Sequence, residues 1–203
     1  MTKIKICGLI RMADIKIVNQ FMPDYIGFVF AKSLRQITLG QAMEMRRSLC
    51  SGIIPVGVFV DETPENIFIA IKKGIIEIIQ LHGSENDEYI QNLKKLTNKP
   101  IIKAITIEKK GDAQAWENTA ADFLLLDGKN AGSGKAFDWD LIESVKKPFF
   151  LAGGLNPKNV GEAIKKISPY AVDVSSGVES NGMKDHIKIK LFMQNIAKEG
   201  LKR

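Results

Sequence analysis

Eight short apolar runs recur along this chain at near-regular intervals, and that recurrence narrows the possible folds more than any other feature. The runs are Ile4–Cys7, Tyr25–Phe30, Ile53–Val60, Ile75–Leu81, Pro100–Ile105, Asp122–Asp127, Pro148–Ala152 and Tyr170–Ser175. Each is rich in β-branched residues and nearly continuous in apolar character, as expected of a strand buried on both faces of a parallel sheet. Their starts lie roughly 22 to 28 residues apart, room for one strand, one helix and two short loops.

Helix signals fall in the gaps. Thr38 with Gln41 forms a capping box ahead of Ala42, Met45 and Leu49. Thr63-Pro64 and Asn156-Pro157 each put a capping side chain before a proline, and Ser84 can cap the segment that buries Ile90, Leu93 and Leu96. The stretch from Asp112 to Ala120 reads as a short or irregular helix. Eight such units without a linker predict α/β architecture: a single parallel (β/α)8 TIM barrel domain over residues 1–203. An open doubly wound sheet is the structural alternative.

Composition excludes several classes. Two cysteines, Cys7 and Cys50, and two histidines give no disulfide scaffold and no four-cysteine metal site. Lys3 and Lys5 interrupt the apolar character of the N-terminus, and no run approaches the roughly 18 apolar residues of a membrane-spanning helix. The expectation is a cytoplasmic protein with reduced thiols and no membrane partner. The net charge of +6 is concentrated at the end of the chain, where Lys184–Arg203 holds six basic residues against Asp185 and Glu199. That segment has no aromatic interleaving, so it reads as a solvated helix face and not as a nucleic-acid site.

In such a barrel the active site lies at the C-terminal ends of the strands. The residues there are Cys7-Gly8 after the first strand, Arg35 in the second loop, Gln80-Leu81-His82-Gly83 at the fourth, and Asp127-Gly128 at the sixth. Gly153-Gly154 and Ser175-Ser176-Gly177 follow the seventh and eighth strands. Glycine lets backbone N–H groups approach an anion closely, so these two loops together point to a phosphate site. Asp127 closes a run of leucines and must face the loop mouth or lie buried unpaired, which favours a site role. For Cys7, position alone leaves a structural or a reactive thiol open. For His82, a ligand contact and a loop cap both remain. Cys50, Trp116 and Trp139 read as packing residues, and Asp61 and Glu62 as shapers of the third loop.

Taken in order, Lys5-Ile6-Cys7-Gly8-Leu9, Gly27-Phe28-Val29-Phe30, Val56-Gly57-Val58-Phe59-Val60, Gln80-Leu81-His82-Gly83, Phe137-Asp138-Trp139, Leu151-Ala152-Gly153-Gly154-Leu155 and Asp173-Val174-Ser175-Ser176-Gly177-Val178-Glu179 resemble the phosphoribosylanthranilate isomerases of tryptophan biosynthesis along essentially the whole chain. The resemblance implies an Amadori rearrangement of N-(5-phosphoribosyl)anthranilate with Cys7 as general base and Asp127 as general acid. It places Arg35 at the anthranilate end, Gln80, His82 and Asp173 among the substrate contacts, and Gly153, Gly154, Ser175, Ser176 and Gly177 around the phosphate. It implies no metal or organic cofactor, a phosphorylated small-molecule substrate, and a monomer or homodimer. The chemistry asks for an aspartate pKa raised toward neutrality and a thiol pKa lowered by nearby cations or N–H groups. Three positions depart from the family pattern: Leu34 stands where proline is usual, Ile10 where threonine is common, and Ala131-Gly132-Ser133-Gly134 varies the sixth loop. Alternative readings are the related histidine-pathway isomerase, a non-catalytic phosphate-binding barrel, and nucleic-acid binding through the basic C-terminal helix.

Overall fold

The computed structural model describes residues 1–128 and 137–200. The Ala131-Gly132-Ser133-Gly134 stretch and the last three residues of the basic segment lie outside the described residues. Eight parallel strands close into a barrel in sequence order: β1 Lys3–Cys7, β2 Tyr25–Val29, β3 Ile54–Phe59, β4 Ile78–Leu81, β5 Ile101–Ile107, β6 Phe123–Gly128, β7 Phe149–Leu151 and β8 Ala171–Val174. The β1–β8 register, with Lys5 opposite Asp173, completes the closure.

The predicted strands are all present. The fourth is shorter than its apolar run because Ile75 and Ile76, although buried, sit in the turn before it. Strand alternation sorts the side chains into two cores. Tyr25, Val56, Ile102, Leu125, Phe150 and Ala171 fill the lumen. The opposite faces carry Ile6, Phe28, Ile79, Leu124 and Leu151 into the larger shell beneath the helices.

Among the described residues, six helices cover the barrel: α1 Met12–Phe21, α2 Leu39–Arg47, α3 Pro64–Lys72, α4 Asp87–Leu96, α5 Val160–Ile167 and α6 His186–Gly200. Thr38 and Thr63 cap α2 and α3 as their sequence signals predict. Two caps differ. Asn86, not Ser84, caps α4, because Ser84 gives both its N–H and its hydroxyl to Asp61 Oδ1, at 2.7 and 2.8 Å. Asn156 shapes a turn by accepting from the Lys158 N–H, and α5 begins after Asn159.

Helix α1 had no sequence signal. Its start is held by Arg11 and Asp14, whose carboxylate takes the N–H groups of Ile10 and Arg11. The Asp112–Ala120 segment forms only a one-turn 3₁₀ helix, Gln114–Trp116, and another such turn, Trp139–Leu141, precedes β7. Lys184 is not on a solvated helix face. It lies buried in a small hairpin, β9 Glu179–Ser180 with β10 Met183–Lys184, because Glu179 draws its ammonium to 2.6 Å. Cys50 is exposed instead of packed, since its backbone is anchored outward on Asn19. Among the described residues, no helix is long and apolar enough to cross a membrane.

Candidate active site

The sequence-predicted residues converge on one cavity of about 300 Å³ at the C-terminal mouth of the barrel. Its wall includes Cys7, Arg35, Gln80, His82, Asp127 and Asp173, together with the loops Gly153-Gly154 and Ser175-Ser176-Gly177. A larger cavity of about 390 Å³ opens beyond it, between the ends of β4, β5 and β6. Of the predicted set it carries only His82 and Asp127, both of which also line the smaller space.

Period-2 alternation explains the gathering. Cys7 ends β1 two residues above Lys5 on the lumen face, Asp127 stands two residues above Leu125, and Asp173 two above Ala171. Two glycines clear space for them. A Cβ on Gly27 would sit 2.5 Å from Cys7 Sγ. Gly8, at φ +77, leaves its side-chain position to the Arg35 stem.

Asp127 is pushed up to about 6, mainly by burial and then by the charge of Asp173, against the Gly128 N–H and Lys5. This is the direction the sequence reading required. The thiol contradicts its expectation. Burial raises Cys7 above the ordinary thiol value, although Lys5 and Lys184 pull it down. Cations are present as expected, but desolvation of the thiolate outweighs them, with Asp173 adding to it.

His82 is lowered by burial and then by Lys5, which keeps its ring neutral near pH 7. Its Nδ1 lies 2.9 Å from Gln80 Nε2. With the amide nitrogen donating there, the ring proton sits on Nε2, which faces Asp127 Oδ2 at 3.8 Å. That gap is too long for a hydrogen bond. Gln80 Oε1, Asp127 Oδ1 and Asp173 Oδ1 are buried acceptors without a partner among the described residues. Three orphaned acceptors in one mouth suit a ligand bearing several hydroxyl or N–H donors.

Arg35 is engaged within the protein, making a bidentate pair with Glu179 at 2.8 and 2.7 Å while one flank lines the cavity. Glu179 also takes Lys184, and Lys184 reaches the Ser175 carbonyl at 3.2 Å. The Ser175 hydroxyl donates to the Cys7 carbonyl at 3.0 Å, stitching the eighth loop to β1. In the seventh loop Gly153 and Gly154 adopt φ +81 and +66, conformations that favour glycine. Among the described residues, no backbone bond outside the helices and strands uses either of their N–H groups. A Cβ at Gly177 would collide with the Leu155 carbonyl, so the seventh and eighth loops touch backbone to backbone.

The sequence reading missed Lys5, Glu179 and Lys184 as site residues. For Lys5 a signal existed, since it shares the β1 face of Cys7. For the other two a signal also existed, since Asn181-Gly182, both at positive φ, is the two-residue turn motif that folds Glu179–Ser180 back on Met183–Lys184. Leu34 is almost fully exposed and, unlike Ser33 and Arg35 beside it, does not line the cavity. Asp61 shapes its loop, as expected. Among the described residues, no three His, Cys, Asp or Glu side chains are grouped to hold a metal ion.

Comparison with known proteins adds the family context. A family model described as N-(5'phosphoribosyl)anthranilate (PRA) isomerase matches residues 4–195. A relative from Endomicrobium trichonymphae, named N-(5'-phosphoribosyl)anthranilate isomerase, is 48% identical over 93% of this chain and 95% of its own. A crystal structure of phosphoribosyl anthranilate isomerase in complex with reduced 1-(o-carboxyphenylamino)-1-deoxyribulose 5-phosphate is 35% identical, with a TM-score of 0.83 over 98% of this chain and 100% of that one. Monomers generated from the dimeric Thermotoga maritima enzyme match with the same identity, TM-score and coverage.

Proposed function

From the premise that this chain belongs to the N-(5'-phosphoribosyl)anthranilate isomerase family, we propose a role for each residue at the barrel mouth. The enzyme converts N-(5-phosphoribosyl)anthranilate to 1-(2-carboxyphenylamino)-1-deoxyribulose 5-phosphate in tryptophan biosynthesis. The proposal concerns how these side chains do it.

Protonated Asp127 gives its proton to the ribose ring oxygen. The C1–O bond breaks, and the anilino nitrogen lone pair forms the C1=N⁺ Schiff base. The Cys7 thiolate then takes the C2 proton. The C2–H electron pair becomes C1=C2, the C=N⁺ pair returns to nitrogen, and the enol formed goes on to the ketone. Backbone N–H groups of Gly153, Gly154, Ser176 and Gly177 hold the phosphate, far from the bonds that change. The orphaned oxygens of Gln80 and Asp173 accept from sugar hydroxyls, with His82 Nε2–H beside Asp127 as a donor. Arg35, steadied by Glu179, meets the anthranilate carboxylate with its free flank. The observation that supports these roles most is the pairing of a carboxyl at about 6 with a half-buried thiol in one cavity that holds three acceptors without a partner among the described residues.

The two shifts set the pH dependence. The active form needs Asp127 protonated and Cys7 ionised, yet Asp127 titrates first. Between the two pKa values that form is a small, constant fraction, tenfold smaller for each unit that separates them. The profile of kcat/KM should therefore rise through about pH 6, where Asp127 titrates, stay level, and fall where the thiol ionises. Fluorescence decay of freshly made phosphoribosylanthranilate is the direct assay. Cys7→Ala and Asp127→Asn should each slow it by about 10²–10⁴-fold with unchanged circular dichroism. Near-normal decay in either variant would remove that residue from the mechanism. For assembly, the description of the Thermotoga relative as dimeric supports a homodimer, and sedimentation equilibrium distinguishes it from a monomer.

A further inference from the structure

Lys5 has no measurable exposure and lies in the barrel lumen, directly below the mouth. Its Nζ is 2.8 Å from Asp173 Oδ2, across the β1–β8 register. Burying such a pair is costly, and a well-packed apolar pair in its place is often neutral or stabilising. The same lumen is filled below by Tyr25, Leu125 and Phe150, so apolar packing was available here. The ion pair stands instead at the level where the lumen meets Cys7.

We propose that Lys5 is a positioning residue of the rearrangement, its buried ammonium serving as the fixed countercharge of the Cys7 thiolate. This rests on the reading of Cys7 as the base. Of the charged groups around the thiol, Arg35 and Lys184 are both committed to the Glu179 carboxylate. Asp173 opposes ionisation, and Asp127 and the neutral His82 stand across the mouth on β6 and at the end of β4. Lys5 shares the lumen face of β1 with Cys7, two residues below it, and its charge is the strongest of those that draw the thiol down. The relation is reciprocal. Burial pulls the Lys5 pKa down, but Asp173 and Cys7 together hold it above the ordinary lysine value, so the cation persists. A charge fixed in place before the reaction needs no reorganisation when the thiolate forms.

The consequence is specific because the acid titrates below the base. Removing Lys5 should raise the thiol pKa more than that of the more distant Asp127, which moves the high-pH limb of kcat/KM upward and lowers the plateau by the difference between the two shifts. An ion pair that only filled the lumen would move neither.

The test uses a Cys50→Ser background, since Cys50 is exposed and would also be alkylated. In Lys5→Met, the midpoint of iodoacetamide alkylation of Cys7 should move at least one pH unit upward. The kcat/KM plateau should fall at least tenfold, and Lys5→Arg should recover part of both. An unchanged midpoint in folded Lys5→Met overturns the proposal. Should that variant fail to fold, the Lys5 Nζ resonance of ¹⁵N-lysine-labelled enzyme should shift with the same midpoint as Cys7 alkylation. A resonance indifferent to that titration would equally overturn it. Full activity of Cys7→Ala in this background would instead bring down the base assignment, a failure distinguishable from the first.

Discussion

The two ends of the barrel lumen are built from the same strands and do opposite work. Toward the N-terminal end, Tyr25, Phe123, Phe150 and Tyr170 form a cluster of rings, with Phe150 at 5.4 to 5.8 Å from the other three. Tyr25 and Tyr170 share a 3.0 Å hydroxyl contact. Toward the C-terminal end stand Lys5, Cys7, Gln80, Asp127 and Asp173, with buried charges and three oxygens that have no partner among the described residues. On β6, four residues separate Phe123 in the layer that stabilises from Asp127 in the layer that costs stability. The mouth can hold strained, desolvated groups because the base of the lumen beneath it is close-packed.

The sharpest way to break this contrast is at the base. Phe150 is fully buried among rings, and Phe150→Ala should cost about 3–5 kcal/mol in urea unfolding. The kcat/KM of the molecules that remain folded should change little. A large loss of turnover in folded Phe150→Ala would mean that the two layers are not separable.

At the mouth, Gly27→Ala puts a methyl group 2.5 Å from Cys7 Sγ. The expected result is a roughly hundredfold fall in kcat, about 2.7 kcal/mol, as the thiol is displaced. Steady-state kinetics that leave kcat unaltered would show that Cys7 needs no such clearance.

Asp127→Asn sharpens the comparison through stability. The folded-state pKa of about 6 lies above the ordinary carboxylate value, so ionised Asp127 destabilises the fold. The penalty is absent below the unfolded pKa and fully present above about pH 6. Denaturant titrations should find Asp127→Asn more stable by on the order of 2–3 kcal/mol at pH 8, shrinking to a few tenths near pH 4. A gain that does not depend on pH would contradict the assignment of burial as the cause.

The smallest effect belongs outside both layers. Leu34 is 97% exposed, and Leu34→Ser should change stability by less than about 0.5 kcal/mol and leave kcat/KM unaltered.

Much of this was legible from residue order. The strand spacing predicted eight units, Thr38 and Thr63 announced their helices, and the glycine loops after the seventh and eighth strands lie in the same cavity as Cys7 and Asp127. Helix α1 was silent because its cap is an arginine–aspartate pair and not a hydroxyl or amide. Ser84 and Asn156 misled because each is drawn into a turn by neighbours already in place.

The sequence by itself determined which positions face the lumen and which loops can admit an anion, because strand alternation and glycine conformation are local properties. Only the tertiary structure decided what those positions do to one another. Lys5 meets Asp173 across 168 residues of chain, and Ser175 reaches Cys7 across the same separation. The ionisation of Cys7 and Asp127 depends on the distance to each charge and on the water removed from each group. Both are fixed only when β8 pairs with β1 and the barrel closes.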